Sequence, residues 1–96
     1  MLDATLGDAV AAAYGLPRPA TLAGPVARGQ QGLVWRLETA GGAFAVKDPL
    51  EPVDPADAAA DAAFQDAALA AGVPLPRVVR DVSGNVLADV GGHQVR

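Results

Sequence analysis

Lys47 is the one lysine in this chain; the other cations are arginines at 18, 28, 36, 77, 80 and 96. A surface that needs only positive charge mixes the two types. A lone lysine points to a place that wants a compact ammonium on a flexible stem rather than a planar fork. Such a group serves phosphate as a point charge. Lys47 closes the apolar run Ala43-Phe44-Ala45-Val46, just after Gly41-Gly42. Two carboxylates follow, Asp57 and Asp61, one helical turn apart. Like charges at that spacing repel, and a carboxylate among core-facing positions is costly without a cation or donors to meet it. The nearest preceding cation is Lys47. The sequence therefore proposes a Lys47–Asp61 pair, with Asp57 as the alternate partner. Alternatively, both aspartates face water and Lys47 is a solvated strand end. Upstream, Gly29-Gln30-Gln31-Gly32 is either a loop whose backbone N–H groups can cradle phosphate or an ordinary hairpin turn.

The elements that must position these groups follow from periodicity. Asp3 to Tyr14 reads as a helix, with Asp3 as N-cap and Leu2, Leu6, Ala9, Val10 and Ala13 on one face. Gly15 and Pro17 stop it, and Leu16 to Gly24 reads as a connector. From Pro25 the period becomes two. Val26 to Arg28 is a short strand. Leu33 to Thr39 is a second, with Leu33, Trp35 and Leu37 on one face. Ala43 to Lys47 is a third, antiparallel to it. A helix then starts at the N-cap Asp54, with Pro55 at its first position and Asp57 in the capping-box position, and ends at Gly72. At about 100° per residue, Phe64 and Leu69 define its buried sector, with Asp61 near the middle and Asp66 outside it. Arg77 to Val82 and Val86 to Val90 read as strands around Ser83-Gly84-Asn85. His93 to Arg96 begins another after Gly91-Gly92.

Ninety-six residues allow one domain, 1–96. The composition is 51% hydrophobic, much of it alanine, and 4% aromatic: Tyr14, Trp35, Phe44 and Phe64. Few large anchors predict low stability or self-association of this domain alone. The net charge of -4 argues against a nucleic-acid or anionic-membrane surface. There is no cysteine, hence no disulfide or thiolate metal site, and His93 alone cannot build a zinc centre. The N-terminus lacks a basic region followed by an apolar stretch, and no run is long enough to span a bilayer. A cytoplasmic location is the expectation. Tyr14 and Trp35 are expected in the core rather than stacked on a ligand.

The ordered set Gly29-Gln30-Gln31-Gly32-Leu33-Val34-Trp35-Arg36-Leu37, Phe44-Ala45-Val46-Lys47 and Ala70-Ala71-Gly72-Val73-Pro74-Leu75-Pro76-Arg77 resembles the N-terminal lobe of the aminoglycoside phosphotransferase and choline-kinase-like family. The resemblance covers essentially the whole chain. It implies an α+β fold: a twisted antiparallel sheet of about five strands, one packed helix and an N-terminal helix. It implies ATP as cofactor, with magnesium bound mainly through a second, C-terminal lobe, and a small-molecule acceptor whose hydroxyl or amine takes the γ-phosphoryl. Carried over by position, Gly29, Gln30, Gln31 and Gly32 would cover the phosphates, and Lys47 would bind them. Asp61 would pair with Lys47, one methylene shorter than the family's usual glutamate. Val34, Ala45 and Val46 become candidates for the adenine pocket. The family's catalytic and metal-binding acids belong to the second lobe. By itself this lobe is expected to catalyse nothing. The alternative is a non-catalytic, truncated or pseudokinase-like module used for protein contacts.

Overall fold

The structure, a computed structural model, describes residues 2–29, 32–49, 51–75 and 77–96. Asp3 caps the first turn by accepting from the Thr5 amide at 2.8 Å. A 3-10 turn, Ala4–Leu6, leads into α1, Gly7–Ala13. Helix α1 buries Val10 and Ala11 and sits directly on the sheet, close enough that a Cβ on Gly7 would meet the Ala20 carbonyl at 2.6 Å.

Three antiparallel strands follow in the order β1 (Thr21–Arg28), β2 (Gly32–Thr39) and β3 (Gly42–Pro49). Strand β1 begins well before the expected Val26, within the supposed connector. Thr21, Leu22 and Ala23 pair with Glu38, Leu37 and Arg36. Leu22 is fully buried, so core packing overrides the local turn signals of Gly24 and Pro25. The register breaks between Ala23 and Ala27, where a proline need not donate to the ladder. Leu22, Trp35, Leu37 and Val46 form the buried face with Val10 from α1 and Val90 and Val95 from further along. Trp35 and Tyr14 both pack there, the former 5% exposed.

Helix α2 spans Pro55–Ala70, and the Asp54 carboxylate accepts from the Ala56 amide at 2.8 Å. Beyond it, β4 (Ala88–Val90) and β5 (His93–Val95) form a separate two-stranded sheet. The fold is therefore α+β, but the expected five-stranded sheet with a single packed helix divides into three strands plus two. Lys47 and Arg96 link the two sheets directly, exchanging backbone hydrogen bonds of 2.8 and 3.1 Å. Residues 77–82, expected as a strand, make none of the described ladders. The Asp81 carboxylate accepts from the Ser83 and Asn85 amides, and its own amide donates to the Asn85 carbonyl, so its bonds close a turn over 81–85. An aspartate offers the backbone a loop in place of a ladder.

The buried sector of α2 also differs from expectation. Ala58 and Ala62 face inward, while Phe64 is 74% exposed and Leu69 is exposed too. Ala58 and Ala62 share a face at i, i+4, and they are the buried residues of the helix. Among the described residues, no helix is long and apolar enough to cross a membrane.

Candidate functional site

Strand alternation decides which side chains meet. Val46 faces the core, so Lys47 turns to the opposite, open face, and Asp48 turns back inward. Asp48 is buried, and its carboxylate accepts from the Leu2 amide at 3.0 Å. That bond ties the N-terminal segment to the strand that carries Lys47. Across the ladder, Lys47 lies opposite Val34, and Ala45 opposite Arg36. Opposed residues share a face, so Val34, Ala45 and Lys47 line one side of the sheet. Of the three pocket candidates, Val46 is thereby excluded, because it belongs to the core.

Gly29 and Gly32 meet at the end of the β1–β2 pair, with the Gly29 amide donating to the Gly32 carbonyl at 2.9 Å. Gln30 and Gln31 lie outside the described residues. The two glycines are not equivalent. A Cβ on Gly32 would collide with the Asp48 carbonyl and the Pro49 Cα, so β3 itself demands glycine there. A Cβ on Gly29 would meet nothing closer than the Gly32 carbonyl at 3.8 Å. Beside them is a cavity of about 370 Å³ lined by Gly29, Gly32, Val34, Lys47, Val53 and Arg96 among others.

The expected Lys47–Asp61 pair does not form. Among the described residues, no carboxylate lies within 4.0 Å of the Lys47 ammonium. Asp61 is instead 3.9 Å from the Arg96 guanidinium. The reason is topological. Arg96 is the backbone partner of Lys47, and its side chain occupies the space between β3 and α2. The alternate partner, Asp57, is exposed in the first turn of α2, where a carboxylate complements the helix dipole. Asp66, expected to be solvated, accepts from Arg80 at 2.7 Å with both side chains well exposed, so the pair contributes little.

Arg96 is the side chain beside Lys47 that sequence reasoning did not single out. Its signal was present. Val95-Arg96 repeats the pattern of Val46-Lys47: a buried valine, then a cation turned to the other face. The two dipeptides meet through the backbone bonds between Lys47 and Arg96. Lys47 and Arg96 also line a second, larger groove of about 680 Å³ between the β3 edge and α2, with Phe44, Phe64, Val79 and Val86 on its apolar walls. Tyr14 reaches the same groove and donates to the Val86 and Val95 carbonyls at 3.0 and 3.3 Å. Burial, reinforced by the Asp81 charge, pushes its phenol up to about 12. Asp3 shifts the other way: hydrogen bonds from the Thr5 hydroxyl and amide hold its carboxyl below the usual aspartate value. No cluster of three or more His, Cys, Asp or Glu able to hold a metal occurs among the described residues.

The arrangement can therefore bind an anion at two adjacent cations beside Gly29 and Gly32, on a sheet face that also carries Val34, Ala45 and Arg36. Comparisons with family models, curated proteins and solved structures give no match to this chain.

Proposed function

We propose that this chain is the ATP-binding lobe of a phosphotransferase that moves the γ-phosphoryl group to a hydroxyl or amine of a small molecule. The observation that carries the reading is the open sheet face shared by Val34, Ala45 and Lys47, on which Val34 and Lys47 border the cavity beside Gly29 and Gly32. Small, apolar Val34 and Ala45 leave room for a flat base, while Lys47 lies beside the two glycines. A base on that face would direct its phosphates toward the ammonium. ATP would supply the phosphoryl group; the chain's own part is to orient it and balance its charge. The catalytic base and the magnesium ligands would belong to a second lobe, as the family resemblance implies. Isothermal titration with ATP tests the reading. Lys47→Ala should weaken binding roughly tenfold or more, the value of a charge-assisted contact. Equal affinity in Lys47→Ala would remove the assignment.

One observation favours a second reading, a lobe kept for contacts with a second copy of itself. Among the described residues, the outer edge of β3 is bonded only at Lys47, and the apolar groove with exposed Phe64 runs beside it. Open edges pair readily with other chains. Sedimentation equilibrium distinguishes this reading, which requires a dimer whose formation Phe64→Ser weakens.

A further inference from the structure

Two cations directly opposite each other on paired strands are an unfavourable arrangement. The Lys47–Arg96 pair is such an arrangement, joined by reciprocal backbone bonds of 2.8 and 3.1 Å. A narrow antiparallel pair of this kind sets Cα atoms about 5.5 Å apart with side chains on one face. Arg96 compounds the problem. Its side chain is only 18% exposed, yet among the described residues its guanidinium makes no hydrogen bond. Its nearest carboxylate, Asp61, is 3.9 Å away and itself 68% exposed. That distance gives attraction without consuming the donors. A half-buried guanidinium whose donors still reach solvent, with no protein acceptor among the described residues, is open to an anion. Both side chains open onto the cavity beside Gly29 and Gly32 and onto the groove beside α2. An anion with several oxygens, placed between them, relieves the repulsion and satisfies the fork at once.

We infer that Arg96 is the second half of the phosphate-binding site: Lys47 and Arg96 together hold an oligophosphate, with Asp61 as the positioning residue for Arg96. The inference rests on the phosphate-binding reading of this site and extends it to a residue outside that assignment. Lys47 supplies a point charge. Arg96 supplies two parallel donors that fix the orientation of one phosphoryl group. The ligand is the phosphate tail of a nucleotide or a free inorganic oligophosphate, which present the same chemistry.

Titration of the 96-residue chain with tripolyphosphate, ATP and adenosine separates these sources. Arg96→Met keeps the aliphatic stem and removes the charge. It should weaken tripolyphosphate and ATP alike, roughly ten- to a hundredfold, and leave adenosine unchanged. Arg96→Lys should recover only part of the loss. Tripolyphosphate binding that needs Lys47 but is indifferent to Arg96→Met overturns the inference and leaves the ATP reading standing. Arg96-dependent tripolyphosphate binding without ATP binding supports the inference and removes ATP as the ligand. A parent chain that binds no tripolyphosphate overturns it outright. Because Arg96→Met could perturb folding, the Arg96 guanidinium N–H resonance is followed in the unmutated chain. It should move on titration; a stationary resonance at saturation overturns the inference.

Discussion

The two helices meet the rest of the molecule in opposite ways. Helix α1 and the β1–β3 sheet bury Val10, Leu22, Trp35, Leu37 and Val46 between them. Helix α2 is more than twice as long as α1, sixteen residues against seven, yet buries only Ala58 and Ala62. Length and burial are thus decoupled. The short helix is held by tertiary packing, whereas the long one is held by its own propensity and its Asp54-Pro55 start. Apolar area sets the strength of an interface. The α1 side is the rigid frame that fixes the face of β3, and the α2 side is the softer wall of the groove. The Lys47–Arg96 pair lies on the boundary between them.

The largest test of this contrast pairs two leucine truncations. Leu37→Ala, at a fully buried position, should cost about 3 kcal/mol through lost burial and the cavity it leaves. Leu69→Ala, on exposed α2, should cost less than about 0.5 kcal/mol. Urea denaturation measures both. Comparable losses would abolish the distinction between frame and wall.

The next test uses the one tyrosine, which joins the frame to the β4–β5 segment. Tyr14→Phe should cost about 1 kcal/mol, since it leaves the Val86 and Val95 carbonyls without their donor. The pH dependence has a definite sign. The phenol is raised in the folded state, so the folded chain holds its proton more tightly than the unfolded chain. Its contribution is fully present below pH 10 and is lost as pH rises from 10 toward about 12. Unfolding midpoints of the parent chain should fall across that window more steeply than those of Tyr14→Phe. Parallel curves would show that the hydroxyl is not protected.

Much of the frame was legible because its signals are local. Alternation set Trp35 and Leu37 inward, and the same period set Lys47 opposite to Val46. The Asp54-Pro55 helix start was legible from cap chemistry. What failed depended on contacts distant in sequence or on residues that carry no signal. The pairing of Thr21–Ala23 with Arg36–Glu38 overrides a stretch that reads as connector. The inward face of α2 is made of alanines, so Phe64 and Leu69 pointed to the wrong sector. Asp61 was then assigned to Lys47, because nothing local says that Arg96 returns to the strand edge between them. Arg77 to Val82 reads as a strand by alternation but joins none of the described ladders.

A smaller effect should come from the cap of α2. Asp54→Ala removes the acceptor for the Ala56 amide and should cost about 1 kcal/mol. If α2 is a soft wall, that loss stays local. Hydrogen exchange should accelerate over the first turns of α2 and remain unchanged at Leu22 and Leu37. Acceleration in the sheet as well would mean that the two regions unfold as one unit.

The smallest effect on stability, and the most informative about the groove, concerns Phe64. It lies 74% exposed beside Phe44 and Val79 on the groove wall. In a monomer with this geometry, Phe64→Ser removes an aromatic that is mostly in water already, so the unfolding free energy should change by less than about 0.5 kcal/mol. A loss above about 1 kcal/mol at low protein concentration would mean that Phe64 folds down onto the sheet and that α2 is part of the rigid frame. The same variant has a second readout. A large exposed aromatic on a groove along a strand edge that, among the described residues, is bonded only at Lys47 favours association. If the parent chain sediments as a dimer at high concentration, Phe64→Ser should shift it toward monomer while its melting at low concentration is unchanged. That combination places the energy of Phe64 between chains rather than within one, and it leaves the softness of the α2 wall intact.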